Sequence, residues 1–237
     1  MSFRNSVTIV ASPRSRVGKT LLARLLIDFH VQERREVAAF DLNSGGGTLA
    51  AYVPSLTMAS DISGTMGQMA LFDRLIAEDG VTKVVDLGHE SFEGFFSLAS
   101  KIGFAEEAHR RRIAPAILYV ITPDATSVES YRRLRSLFPQ AVLAPLHNEI
   151  FGVAQHRDKY ELAGKLPTQL PLLAPGLRRY IDSPPFSFTD AAMAASRIPP
   201  AVQAELQAWL RRVYREFREL DLRILLADLK SSIGFGS

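Results

Sequence analysis

The chain has 237 residues, 47% hydrophobic and 22% charged, with a formal net charge of +3 and no cysteine. That is the composition of a soluble globular protein long enough to bury a sizeable core, and the lack of cysteine excludes disulfides and thiolate metal sites. No apolar run reaches the length of a membrane span and no signal peptide is visible, so the expected location is cytoplasmic; a pI near 9.3 is mild support for an anionic partner.

Residues 6–12, SVTIVAS, form a β-branched apolar run ending in loop residues and predict a buried strand. From Gly18 onward, Leu21, Leu22, Leu25, Leu26 and Phe29 recur on one helix face. EVAAFDL (36–42) reads as a second strand, broken by SGGG (44–47). A helix is predicted over about 61–79, with Ile62, Met66, Met69, Leu71 and Leu75 as its apolar members. VTKVVDLG (81–88) is a third strand, followed by a Phe-rich helix over 91–109. AILYVITP (116–123) is a fourth, with a helix to about Phe138; AVLAPLHN (141–148) is a fifth and LPLLAP (170–175) a short sixth. Residues 199–230, opening on Pro199-Pro200, predict one long helix.

Strands alternate with helices, and each strand is apolar without clear alternation. That argues an α/β fold with a mostly parallel twisted sheet, flanked by helices on both faces and joined by right-handed crossovers. The phosphate loop fits this frame. ASPRSRVGKTLLARLL (11–26) joins the first strand to the first helix. Gly18-Lys19-Thr20 is the back half of a phosphate-binding loop. Backbone N–H groups there point at phosphates, Lys19 supplies a point charge, and Thr20 offers a hydroxyl to Mg²⁺. The candidate cofactor-binding segment is Pro13, Arg14, Ser15, Arg16, Val17, Gly18, Lys19, Thr20 and Leu21, with Pro13 where the usual loop has its first glycine.

PRSRVGKT resembles the deviant loop of the MinD/ParA superfamily of ATPases, which reads x-K-G-G-x-G-K-T. The resemblance implies a P-loop nucleoside triphosphatase fold, with residues 1–237 as one nucleotide-binding domain and 199–230 as its C-terminal helical extension. It also implies ATP and Mg²⁺ as cofactors. Arg14 falls at the signature lysine, which in the family reaches across a dimer to the partner's phosphates; Ser15 and Arg16 replace the two glycines. Non-glycine residues at those places also occur in dethiobiotin synthetase, a ligase of the same fold.

The family's D-x-D segment corresponds to FDLNSGGG. Asp41 then holds Mg²⁺ through water, or serves as a strand-end turn former. Asn43 stands where the family aspartate orients the attacking water, and an amide cannot accept a proton, so hydrolysis is expected to be slow. In KVVDLGHE, Asp86 ends the third strand as the Walker B aspartate does, Gly88 allows close approach, and His89 reads as a solvated helix start. Asn148 in LHNEIFG stands where the family reads the adenine edge, with a turn-forming role as the equal alternative. LPLLAPGL resembles the segment that flanks the base, so Pro171 or Pro175 lines that pocket. The candidate catalytic residues are thus Lys19, Arg14, Asp41 and Asn43, and the metal set is Thr20, Asp41 and Asp86.

Leu206, Leu210, Val213, Phe217, Leu220 and Ile224 follow a seven-residue apolar repeat, which suits either a helix against its own sheet or a partner-binding helix. Three basic clusters, at 109–112, at Arg132, Arg133 and Arg135, and at Arg211, Arg212, Arg215 and Arg218, form a candidate sequence-independent DNA surface. The tail KSSIGFGS is too short and polar for a membrane anchor. The leading expectation is a MinD/ParA-type ATPase acting as a nucleotide-driven dimerisation switch on a protein partner. The alternatives are an ATP-dependent ligase related to dethiobiotin or cobyrinate amide synthesis, and a nucleotide-binding protein with little turnover.

Overall fold

The structure, a computed structural model, describes residues 6–43, 48–152, 160, 167–188, 190 and 198–234, with the side chains of the last helix up to 227. In chain order the elements are β1 (Ser6–Ala11), α1 (Lys19–Gln32), β2 (Val37–Leu42), α2 (Thr48–Tyr52), β3 (Thr57–Ala59), α3 (Thr65–Leu75), β4 (Thr82–Leu87), α4 (Phe92–Lys101), α5 (Phe104–Arg110), β5 (Ala114–Ile121), α6 (Ala125–Leu137), β6 (Val142–Asn148), β7 (Thr168–Leu170), α7 (Pro175–Ile181) and α8 (Pro200–Gly234). The seven strands form one sheet in the order β3-β2-β4-β1-β5-β6-β7, all parallel.

Both faces of the sheet are covered, which is why its strands read as continuous apolar runs. In β5, Ala116, Leu118 and Val120 pack under α1, α7 and α8, while Ile117, Tyr119 and Ile121 face α4, α5 and α6. The heptad residues Leu206, Leu210, Val213, Phe217, Leu220 and Ile224 are all buried in the first of these cores. The repeat is therefore consumed within the chain and leaves no free seam for a partner helix.

Several expected boundaries move for local reasons. The helix expected over 61–79 begins only at Thr65, because Asp61 takes the Ser63 N–H in a turn at 2.8 Å. Met66 and Met69, assigned to its apolar face, are 79% and 57% exposed. The helix expected over 91–109 is two helices, parted at Gly103 with φ 64°. The sixth strand is Thr168–Leu170 and not 170–175; Pro171 has no N–H to give a ladder, and Pro175 opens α7. The SGGG break lies outside the described residues.

The basic clusters do not share one surface. Residues 109–112 and the α6 arginines lie on the side of the sheet opposite α8 and its Arg211, Arg212, Arg215 and Arg218. Arg133 pairs with Glu93 at 2.7 Å, Arg110 and Arg111 with Glu107, and Arg218 with Glu33 at 2.9 Å. Among the described residues no helix is long and apolar enough to cross a membrane.

Candidate functional site

β1 and β4 are neighbours in the sheet, yet β1 leads into α1 on one face and β4 leads into α4 on the other. The loops after the two strands therefore part and leave a crevice at their carboxyl ends, the place where parallel sheets bind ligands. The loop over residues 13–20 contributes to its wall, as does His89 after β4, while Asp86 is fully buried behind it. A cleft of about 600 Å³ opens there. Its walls include Ser15, Arg16, Gly18, Lys19, Thr20, Leu21, Asn43, Asn148 and Pro171 from the expected set.

The loop's backbone takes the shape that glycines usually provide. Gly18 has φ 94°, and a Cβ there would come within 2.8 Å of the Asn148 amide nitrogen. Arg16 has φ 58°, a left-handed conformation that costs a residue with a Cβ about 1 kcal/mol. Lys19 is buried at the start of α1, and its Nζ donates to the Arg14 carbonyl at 2.7 Å. Burial lowers its pKa, against the opposing pull of Asp86. Asn148 donates to the Val17 carbonyl at 3.1 Å and accepts from Ile150 N at 3.2 Å, so β6 is tied directly to the loop.

Beneath the loop lies a compact acidic group. Asp41 and Asp86 are partners in the β2–β4 register, with both carboxylates buried. Gly88 lets the end of β2 come close to the chain after β4, since a Cβ there would meet the Leu42 carbonyl at 2.7 Å. Thr20 Oγ1 donates to Asp86 Oδ2 at 2.7 Å. Asn43 Nδ2 bridges the two carboxylates, at 2.7 Å to Asp41 Oδ1 and 3.0 Å to Asp86 Oδ2. Asp41 Oδ2 accepts from Leu49 N and Ala50 N at 2.7 and 3.0 Å, anchoring the start of α2. Both Asp41 oxygens are thus engaged, whereas Asp86 Oδ1 is buried without a partner among the described residues. Burial pushes Asp86 up to about 6, and the Asp41 charge adds to the rise.

Arg14 points elsewhere. Its guanidinium grips Asp124 Oδ1 through Nε at 3.1 Å and Nη2 at 2.6 Å. Asp124 is the N-cap of α6, accepting from Ser127 N, and it also accepts from Thr122 Oγ1. The hydrogen bond from Arg14, with those from Thr122 and Ser127, holds its carboxyl down at about 2.

Of the expected site residues, Pro13, Arg14 and Pro175 do not line the cleft, and Val17, Asp41 and Asp86 lie just beneath it. Tyr52, Thr48, Ile150, Leu172, Arg178 and Asp182 do line it and were not singled out from the sequence. Asp124 was missed as well. Its place before a helix is a legible N-cap signal, but nothing local ties it to an arginine 110 residues away.

No family model and no curated protein sequence matches the chain. Among solved structures, a chain of the MinC:MinD cell division protein complex of Aquifex aeolicus matches with a TM-score of 0.51 at 14% identity, over 90% of this chain and 96% of that one. The two chains share a fold. A nucleotide-binding protein in complex with ADP from Archaeoglobus fulgidus matches with a TM-score of 0.38 at 14% identity, over 91% and 88%. The first match and the parallel seven-stranded sheet agree with the fold that the loop's resemblance implies.

Proposed function

We propose that the chain is a Mg²⁺-dependent ATP-binding protein of the MinD/ParA kind, working as a nucleotide-driven dimerisation switch with slow hydrolysis. The observation that carries this reading lies just beneath the crevice, where the Thr20 hydroxyl meets Asp86 and, among the described residues, Asp86 Oδ1 is buried with nothing to bond. A buried carboxylate oxygen with no donor suits a cation and its water shell. Thr20 and Asp86 would hold Mg²⁺, with Asp41 behind them. Among the described residues no cluster of three His, Asp or Glu side chains suits a metal, and Mg²⁺ commonly takes one or two protein ligands with water and substrate phosphates completing its shell. When bound, the ion supplies charge neutralisation at the phosphate oxygens.

The chain's own groups divide the remaining work. Lys19 exchanges the Arg14 carbonyl for a phosphate oxygen, and the N–H groups of the loop and α1 face the phosphate tail. Asn148, Ile150, Pro171 and Leu172 make the base end of the cleft. Asn43 can orient a water but takes no proton, and its Nδ2 is committed to two carboxylates, so turnover is slow. In a dimer, Arg14 would reach the partner's phosphates only after leaving Asp124. A duplex DNA partner would meet one basic cluster at a time, since the clusters lie on opposite sides of the sheet.

A ligase reading takes support from Arg178 and Asp182, charged residues of the cleft wall that the nucleotide reading leaves unassigned. Sedimentation velocity with Mg·ATP and with Mg·ADP tests the switch: a dimer with ATP and a monomer with ADP are expected. A mass that ignores the nucleotide, with ADP release stimulated by a carboxylate metabolite, would replace the switch with the ligase.

A further inference from the structure

Two arginines flank Ser15 in the loop, and the structure gives them opposite environments. Arg14 is engaged with Asp124 by two hydrogen bonds to one carboxylate oxygen. Its side chain is not part of the cleft wall. Arg16 lines the cleft beside Lys19 and Thr20, and among the described residues its exposed side chain has no hydrogen bond or ion pair. Its backbone sits at φ 58°, where an L side chain is disfavoured. Strained residues that persist in a fold concentrate where ligands bind, and here the strain carries a cation to the phosphate end of a cleft. The alternative of a glycine at this place would keep the loop's shape and lose the charge.

We infer that Arg16 is the phosphate-tail arginine of this site, acting within its own chain, while Arg14 serves in the monomer as a strut between the loop and the N-cap of α6. The inference rests on the nucleotide reading above. A guanidinium offers several planar donors, so it spans two phosphate oxygens where a lysine meets one. Arg16 therefore adds to the affinity for long phosphate tails and little to the affinity for the base.

The test compares dissociation constants of ATP, ADP and AMP for the wild type, Arg16→Ala, Arg16→Gly and Arg14→Ala, at protein concentrations where the chain is monomeric. Arg16→Ala is expected to weaken ATP about tenfold or more, as the loss of a charge-assisted hydrogen bond does, and to leave AMP within about twofold. Arg16→Gly should weaken ATP equally while the thermal midpoint of the unliganded chain stays level or rises, because the left-handed backbone suits glycine. Arg14→Ala should instead lower the thermal midpoint of the unliganded chain, because it removes the strut to the N-cap of α6. A ratio unchanged in Arg16→Ala, a fall in midpoint that parallels the ATP loss in Arg16→Gly, or an effect that emerges only as dimers form would overturn the assignment. If the wild type binds none of the three nucleotides, the underlying reading fails instead.

Discussion

Asn43 shows how one side chain can be read correctly by place and incompletely by role. From the sequence it is an amide where the family that the loop resembles carries an aspartate, which speaks only to hydrolysis. In the structure it is the donor that bridges Asp41 and Asp86. A carboxylate there would place a third negative charge between two buried ones. Asn43→Asp is therefore expected to destabilise the unliganded chain by about 2 kcal/mol, lowering its melting midpoint by roughly 4–8 °C. An unchanged midpoint by scanning calorimetry would remove the bridge from the account. Asp86 adds a pH dependence. Its folded pKa of about 6 lies above the ordinary carboxylate value, so the folded chain holds that proton more tightly than the unfolded one. This group therefore favours folding below about pH 4 and loses that contribution as pH rises through about 6. Buried His30, held near 3 by burial and by Arg35, works the other way below about 6.5, because the unfolded chain protonates first. The difference between wild type and Asp86→Asn cancels the histidine. The midpoint of Asp86→Asn minus that of the wild type should grow between pH 4 and 7; a flat difference would contradict the raised pKa.

Elements with long apolar periodicity were legible from sequence, and short ones were not. The strands around Ser6–Ala11, Val37–Leu42, Thr82–Leu87, Ala114–Ile121 and Val142–Asn148 and the helix α8 declare themselves, because burial on two faces or along one stripe leaves a long pattern. β3, α2 and α7 run three to seven residues, too short for periodicity to show, and they depend on tertiary anchors such as the Asp41 carboxylate at the start of α2. The pairing of Thr20 with Asp86 was legible, because a Gly-Lys-Thr at a helix start and an aspartate near the end of the neighbouring strand have a recognisable order along the chain, and the structure puts the hydroxyl on that carboxylate. The rest of the cleft wall was not, because Tyr52, Arg178 and Asp182 come from segments distant in sequence that only the fold brings together. α8 is more than a cover. Trp209 Nε1 donates to the Pro171 carbonyl at 3.0 Å, and Gln169 N donates to Glu216 Oε2 at 2.9 Å, so the helix holds β7 and the Pro171 side of the cleft. Phe217→Ala, in the buried stripe, is expected to cost about 3–5 kcal/mol in chemical denaturation, whereas Leu222→Ala, 58% exposed on the same helix, should stay within about 0.5 kcal/mol. Equal costs at the two positions would mean that α8 does not pack as described.

At the scale of the whole molecule, a central pair of parallel strands whose connections leave to opposite faces creates the crevice, and the residues at its lip give it a chemistry. A lysine at the start of a helix and a hydroxyl on a buried aspartate meet at one cleft, and just beneath it one oxygen of that aspartate has no partner among the described residues. The central claim is that this cleft binds a nucleotide by its phosphates. Calorimetric titration of Mg·ATP into the wild type and into Lys19→Ala tests it most directly. One site per chain is expected in the wild type, with a loss of about a hundredfold or more in Lys19→Ala, the scale of about 3 kcal/mol for a buried charge removed from an anion. Equal affinity in the two proteins would contradict it.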